Sequence, residues 1–380
     1  MSTDEKQIHC FMTEKRIGLG EDAQPLGRHA AGLGDIVGVF DGMGGAGSTQ
    51  VLDDNEIDMC SMARLASRHT STTVDQVLSQ WGKDDLSGVT ARLEADVVQS
   101  LKKLAERPGG KGSEPRLRGT ILHPYPTTVA LAIVRPSKDE FGNRRVKVLW
   151  AGDSRIYAFD PSRLIPLQAL TRDHSESGGD AALSRYASAE KFELEERDFL
   201  LPPAASVIAM SDGCYGYMSH FRLMYLLMTH MVRSRHVEDW IERVKRSISK
   251  VAGDDTSFAI TLGEGGFKAL QEQIEVRLDQ LEAIAHLVET SPSNPYVLPH
   301  GDSAYYELLD YDDKQRAAAN PESSSGNVVN DGSFGYIASE VGSVAGTIPV
   351  AKAQLDTACS SIASDMTESR PRITPRITGA

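Results

Sequence analysis

Val39-Phe40-Asp41-Gly42-Met43-Gly44-Gly45 closes an apolar run that begins at Asp35-Ile36. A short apolar run bounded by turn-forming residues reads as a buried strand. A carboxylate at the end of such a strand, followed by glycines, can present its oxygens to a site. The glycines let backbone approach closely, and a glycine carbonyl can act as a further oxygen ligand. Taken alone, the stretch reads more readily as an ordinary Asp-Gly turn.

The pattern returns along the chain. Val207-Ile208-Ala209-Met210-Ser211-Asp212-Gly213 is again an apolar run entering Asp-Gly, and Gly253-Asp254-Asp255-Thr256-Ser257 opens the last one. Glu21-Asp22 lies ahead of the Ile36 to Phe40 run, and Gly152-Asp153-Ser154 lies between Val146 to Ala151 and Ile156 to Phe159. Each alone is accounted for by a turn, but five acidic positions at strand ends form a constellation. Carboxylates gathered in one place repel, and burial raises their pKa values. Divalent cations offset both effects, and hard oxygen donors suit magnesium or manganese.

Outward from these motifs, Ile8 to Met12, Thr127 to Val134, Ser206 to Met210 and Ser257 to Leu262 also read as strands. Val146 to Ala151 and Ile156 to Phe159 read as a hairpin about Gly152-Asp153-Ser154. Val89, Leu93, Val97, Leu101 and Leu104 recur at helical spacing, and that helix is expected to stop near Pro108-Gly109-Gly110. Leu223, Leu226 and Leu227 suggest a second helix, and Trp240, Ile241, Val244 and Ile248 a third. Arg107 to Arg118 reads as an exposed loop. Phe267, Leu270, Ile274, Leu278, Leu281, Ala285 and Val288 form one apolar stripe, suited to docking on the preceding domain or to a dimer seam. Beyond Ser291 periodicity fades, and the chain closes on a tandem Pro-Arg-Ile-Thr. The expected organisation is a domain over 1–264, an amphipathic helix over 265–290 and a flexible or partner-dependent tail over 291–380.

Composition bounds the function classes. The 380 residues are 40% hydrophobic and 24% charged, with a formal net charge of −13. That balance disfavours nucleic-acid binding, which needs a basic face. No apolar run approaches the roughly 18 residues that span a bilayer, and the opening Met-Ser-Thr-Asp-Glu-Lys is too polar for a secretory signal. Cys10, Cys60, Cys214 and Cys359 show no paired spacing, so reduced thiols in a cytoplasm are expected.

Seven segments resemble, in order, the motifs of the metal-dependent protein phosphatases of type 2C. They are Glu21-Asp22-Ala23, Val39 to Gly45, Thr127-Thr128, Ala151-Gly152-Asp153-Ser154-Arg155, Leu170 to Ser175, Ala209 to Gly213 and Asp254 to Ser257. The resemblance covers roughly residues 9 to 262. It implies an α+β fold, a four-layer α-β-β-α sandwich of two antiparallel sheets flanked by helices, with Glu176 to Leu200 as a flap beside the site.

The resemblance also implies a site with two manganese or magnesium ions and a third, weaker one. Asp41 would bridge two metals with help from the Gly42 carbonyl. Asp212 and Asp254 would bind the first, Glu21 the second with Asp22 in support, and Asp153 the third. Asp255 stands where the family often has Asn, which leaves the choice between Asp254 and Asp255 open. Phosphoserine and phosphothreonine in proteins would be hydrolysed by a metal-bridging hydroxide, without a phosphoenzyme. Met43 replaces a His of many eukaryotic members and matches the bacterial type. Arg16 is the nearest candidate for the phosphate-binding arginine, one residue further upstream than usual, and Pro126 replaces a usual Gly. His174 is expected to order its loop, and Cys214 to be a buried small residue. A pseudophosphatase that binds without turnover, and a phosphatase of small phosphate esters, are the rival readings.

Overall fold

The computed structural model describes residues 7–55, 57–82, 85–107, 123–163, 166–174, 183–276 and 278. In chain order the elements are β1 (Ile8–Thr13), β2 (Leu26–Ala30), β3 (Gly34–Val39), β4 (Gln50–Leu52), β5 (Met59–Ser61), α1 (Met62–Gln80), α2 (Val89–Glu106), β6 (Val129–Lys138), β7 (Arg144–Ala151), β8 (Arg155–Phe159), β9 (Leu167–Ala169), β10 (Glu195–Leu201), β11 (Ser206–Met210), α3 (Asp212–Tyr215), α4 (His220–Val232), α5 (Val237–Ser249) and β12 (Thr256–Thr261). Two five-stranded sheets result, ordered β1-β12-β11-β8-β9 and β10-β7-β6-β3-β2, with every pair antiparallel.

Period-two alternation explains why the sheets stack. In β6, Ala130, Ala132 and Val134 enter the layer between the sheets, while Val129, Leu131 and Ile133 pack under α1 and α2. In β11, Val207 and Ala209 face the other sheet, while Ile208 and Met210 pack under α4 and α5. Strands covered on both faces read as continuous apolar runs, which is how they stand out in the sequence. The small inward residues Ala130, Ala132, Ala158, Ala209 and Ala259 let the sheets close on each other. The result is the four-layer α-β-β-α sandwich.

The helices form where the pattern and caps allow. α2 buries Val89, Leu93, Val97, Leu101 and Leu104, the expected stripe, and ends at Glu106. α1 is capped by the Ser61 hydroxyl, which accepts from the Arg64 N–H at 3.2 Å. α4 is capped in the same way by Ser219, which accepts from the Arg222 N–H. The stripe after β12 starts a helix over 266–276, in which Phe267, Leu270 and Ile274 are buried against the α4–α5 layer. Trp240 and Phe267 meet with ring centroids 5.8 Å apart, and the Gln271 amide donates to the Met231 and Ser234 carbonyls. This part of the stripe is docked on its own domain. Its continuation past Leu278, most of the expected loop at 107–118, and the tail over 291–380 lie outside the described residues.

Two expectations need correction. Residues 146–151 and 156–159 do not form a hairpin, because β7 lies in one sheet and β8 in the other. Gly152-Asp153-Ser154 carries the chain between layers. Burial of nearly all of β7 and every residue of β8 is the reason, since each strand needs cover on both faces. Second, Glu195 to Leu200, assigned above to the flap, belong to β10, an edge strand paired with β7 over seven residues.

Candidate active site

The acidic positions lie at one end of the two sheets. Asp41 follows β3 and Phe40. The Thr127 hydroxyl donates to its backbone carbonyl at 2.6 Å, and the Thr128 N–H donates to the same oxygen at 2.8 Å. The paired threonines thus fix the carboxylate-bearing backbone rather than react. Thr127 in turn exchanges backbone bonds with Ala187, tying the middle of the expected flap segment to the site floor. Asp212 opens α3 directly after β11, and Asp153 sits in the crossing between β7 and β8.

These residues feel one another. Burial raises the Asp41 carboxyl well above its ordinary range, and the charges of Asp22, Asp212 and Asp153 add to this. Burial lifts Asp22 to about 7 against hydrogen bonds from Ser257 and Asp41. Asp153 also rises to about 7, through burial and then the charges of Asp212 and Asp173. Asp212 is raised by burial and by Asp254. Glu21 is raised by burial, with Asp255 and Asp254 adding to it. Seven predicted acidic residues, Glu21, Asp22, Asp41, Asp153, Asp212, Asp254 and Asp255, therefore fall in one electrostatically coupled group.

They are not equivalent. Asp22 is 2% exposed, and one of its oxygens accepts from the Ser257 hydroxyl at 2.7 Å. Both Asp255 oxygens accept backbone N–H groups, from Lys15 at 2.7 Å and from Glu21 at 2.6 Å. Asp255 therefore clamps the loop that carries Glu21. Asp254 is exposed, and Asp41, Asp153 and Asp212 are half-buried with an edge toward solvent. The glycines are needed for close approach: a Cβ on Gly44 would meet the Glu21 carboxylate at 1.8 Å, and one on Gly213 the Asp255 carbonyl at 1.7 Å.

The donor chemistry fits divalent cations. Among the described residues no three carboxylate, imidazole or thiolate groups already converge as a ligand set. Instead Asp22, Asp41 and Asp212 lie close enough to shift one another, an arrangement that a shared proton or a cation between them relieves. Protons there screen charges that a divalent ion would screen more fully. The donors are all hard oxygens, with neither thiolate nor imidazole among them, which is the set magnesium and manganese prefer.

Three further predicted side chains resolve differently. His174 has both ring nitrogens engaged: Nδ1 accepts from the Gly152 N–H at 3.1 Å, and Nε2 pairs with Glu195 at 3.0 Å. It orders the loop, as expected. Arg16 is exposed, and no side-chain hydrogen bond or ion pair ties it to the carboxylates among the described residues. Cys214 is fully buried, its thiol held up by burial.

Several supporting residues carried no role in the sequence reading. Arg155 forms a bidentate pair with Asp173 at 2.8 and 2.7 Å and lies 4.1 Å from the Tyr215 ring centroid. The Tyr215 hydroxyl donates to the Asp153 carbonyl. The Ser67 hydroxyl donates to the Glu21 carbonyl at 2.5 Å. Arg155 stands inside a quoted motif; Ser67 and Tyr215 have no local signal.

Solved structures share this architecture. A bacterial serine phosphatase matches with a TM-score of 0.50 at 15% identity, over 68% of this chain and 98% of that one. The serine/threonine phosphatase Stp1 of Staphylococcus aureus gives 0.50 at 15% identity, over 68% and 95%. A sex-determining protein of C. elegans gives 0.51 at 15% identity, over 71% and 67%. No family model matches the chain, and no curated protein matches it in sequence. At such identities the likeness establishes the fold, and it is the fold that the ordered motifs imply.

Proposed function

We propose that the chain is a metal-dependent phosphatase of phosphoserine and phosphothreonine in proteins. The observation that carries this reading is the coupled acidic group at the end of the sandwich, whose carboxyls are raised by burial and by one another. A cluster so costly in charge suits a cation site better than a structural turn. The ordered motifs and the fold shared with two serine phosphatases support the same reading.

Asp41, Asp212, Asp254 and Glu21, with the Gly42 carbonyl, would hold two manganese or magnesium ions, and Asp153 a third. Asp254 is preferred over Asp255 as a ligand, because both Asp255 oxygens already accept backbone N–H groups. Such ions supply charge neutralisation at the phosphoryl group and lower the pKa of a bound water from 15.7 toward about 7. The protein's own work is positional. Thr127 and Thr128 fix Asp41, Ser257 fixes Asp22, and Asp255 fixes the loop bearing Glu21. Water activated by such ions would be the nucleophile, so no phosphoenzyme is invoked, and the fully buried Cys214 would take no part. Residues 1–264 form the catalytic domain on this reading, and Cys10, Cys60 and Cys214, all free thiols, agree with a cytoplasmic setting.

The test is manganese-dependent release of phosphate from a phosphothreonine peptide, beside a panel of phosphorylated metabolites. Asp212→Asn should lower the rate on the order of 10²–10³-fold, the scale of losing a key electrostatic group. Equal rates in both proteins sink the proposal, and turnover confined to the metabolites moves the substrate class to small esters. The second reading is binding without turnover: Arg16 lines the cleft with Glu21, Asp254 and Asp255, but among the described residues no hydrogen bond or ion pair fixes its side chain there. Chelator-sensitive turnover excludes it.

A further inference from the structure

Beside the carboxylates opens a cleft of about 790 Å³ that shares Glu21, Asp254 and Asp255 with them. Arg64 and Arg68, one turn apart on α1, line its other wall. Six acidic residues border it too, and three of them, Asp53, Asp54 and Asp255, are already engaged. Asp53 accepts the backbone N–H groups of Asn55, Ile57 and Asp58 at 3.1, 3.0 and 3.3 Å. Asp54 pairs with His69 at 2.9 Å and with Arg107 at 3.0 Å. Asp255 holds the Lys15 and Glu21 N–H groups.

The basic side is not spent. Among the described residues Arg64 donates to the Gly18 carbonyl, and its charge also acts on Glu21. Arg68 makes no hydrogen bond or ion pair among the described residues. Burial first, and then the adjacent Arg64 charge, lower its pKa, while the charges of Glu14 and Asp54 act the other way. Like charges at this helical spacing repel, and a carboxylate bridging them relieves the repulsion through forked hydrogen bonds.

The rim is apolar. Leu19 and Met59, both in the lining, are 64% and 57% exposed, and nearby Ile17 and Ile57 are 97% and 77% exposed. Large aliphatic side chains gathered in this way mark a surface that a partner covers.

We infer that this cleft receives the peptide segment flanking the phosphorylated residue of a protein substrate, and that Arg64 and Arg68 select an acidic side chain there. The inference rests on the phosphatase reading for the phosphorylated residue, but the cleft's preference stands on its own residues. Charge-assisted hydrogen bonds of this kind carry about tenfold in affinity.

Binding is measured by fluorescence anisotropy on the full chain carrying Asp212→Asn, in manganese, with two phosphothreonine peptides. One has Glu on both sides of the phosphothreonine, the other Gln. The Glu peptide should bind about tenfold more tightly. Adding Arg68→Ala should bring the two within about twofold, while Arg68→Lys retains part of the preference. Arg68→Gln serves where the alanine variant does not fold, and Gln-peptide binding controls for general damage. Equal affinities without the Arg68 change, or a preference that survives both Arg68→Ala and Arg64→Ala, overturn the inference. An Arg68-dependent preference without hydrolysis by the wild-type chain counts against the phosphatase reading alone. Hydrolysis without the preference counts against the cleft alone.

Discussion

The Thr127 hydroxyl donates to the Asp41 backbone carbonyl at 2.6 Å, with the Thr128 N–H on the same oxygen at 2.8 Å. The central carboxylate is therefore held from the segment that leads into β6, by a residue that never touches substrate on our reading. Thr127→Val keeps the β-branched shape and removes one donor. Stability should fall by about 1 kcal/mol, since the carbonyl keeps its second partner. Turnover should fall further, by about tenfold or more, because small displacements of a catalytic group are costly. Thr127→Ser should restore most of it. An unchanged kcat in Thr127→Val, measured at saturating manganese, would show that Asp41 is positioned by other means.

A pH prediction follows from Asp22 and Asp153, both lifted to about 7, burial being the first cause. Their ordinary value is near 3.8, so between roughly pH 4 and 7 the folded chain holds protons that the unfolded chain has released. Stability then falls as pH rises through that window. In chelator, the melting temperature should drop between pH 5 and 8. In millimolar manganese the drop should shrink or reverse, because a ligand bound only by the folded state stabilises it and needs the ionised carboxylates. Melting curves in chelator that are flat or rise from pH 5 to 8 contradict a coupled acidic site.

What the sequence disclosed depended on how local each cause was. Strands buried on both faces, such as β6 and β11, announce themselves as apolar runs, and their acidic ends as Asp-Gly steps. β2 and β10 were missed because they are outermost strands, with partly polar sequences such as Leu-Gly-Arg-His-Ala. α1 was not delimited: its buried face includes Ser67 and Thr70, which blur the apolar period. The change of sheet between β7 and β8 was illegible, since a turn of Gly-Asp-Ser serves a hairpin or a crossing equally. Arg64 and Arg68 gain meaning only when the fold sets α1 beside the Glu21 loop, a contact between segments some forty residues apart.

His174 bridges the Gly152 N–H and the Glu195 carboxylate and stacks on Trp150 with ring centroids 5.8 Å apart. A catalytic base would leave a nitrogen free for water. His174→Ala should therefore cost about 1–3 kcal/mol by leaving the buried Gly152 N–H unpaired. It should lower activity without removing a limb from the pH–rate profile. Loss of an acidic limb with unchanged stability would assign the proton-transfer role that the geometry denies it.

Gly152 makes the crossing between sheets possible. Its φ of +107° is open only to glycine, and a Cβ there would meet Thr128 Cβ at 2.6 Å. Gly142 offers a control, with φ of +82° but its nearest neighbour, Pro203 Cγ, at 3.9 Å. Gly142→Ala bears the conformational cost alone, about 1–2 kcal/mol. Gly152→Ala adds overpacking against the residue that holds Asp41, for a total of about 2–5 kcal/mol. Thermal unfolding of the two variants in chelator separates these terms. Gly152→Ala should also weaken the stabilisation by manganese, because Asp153 and the Thr128–Ser154 contact at 2.7 Å move with it. If both variants lose the same stability and keep the same response to manganese, the crossing is not coupled to the acidic site, and Asp153 would have to be held by the Tyr215 hydroxyl alone.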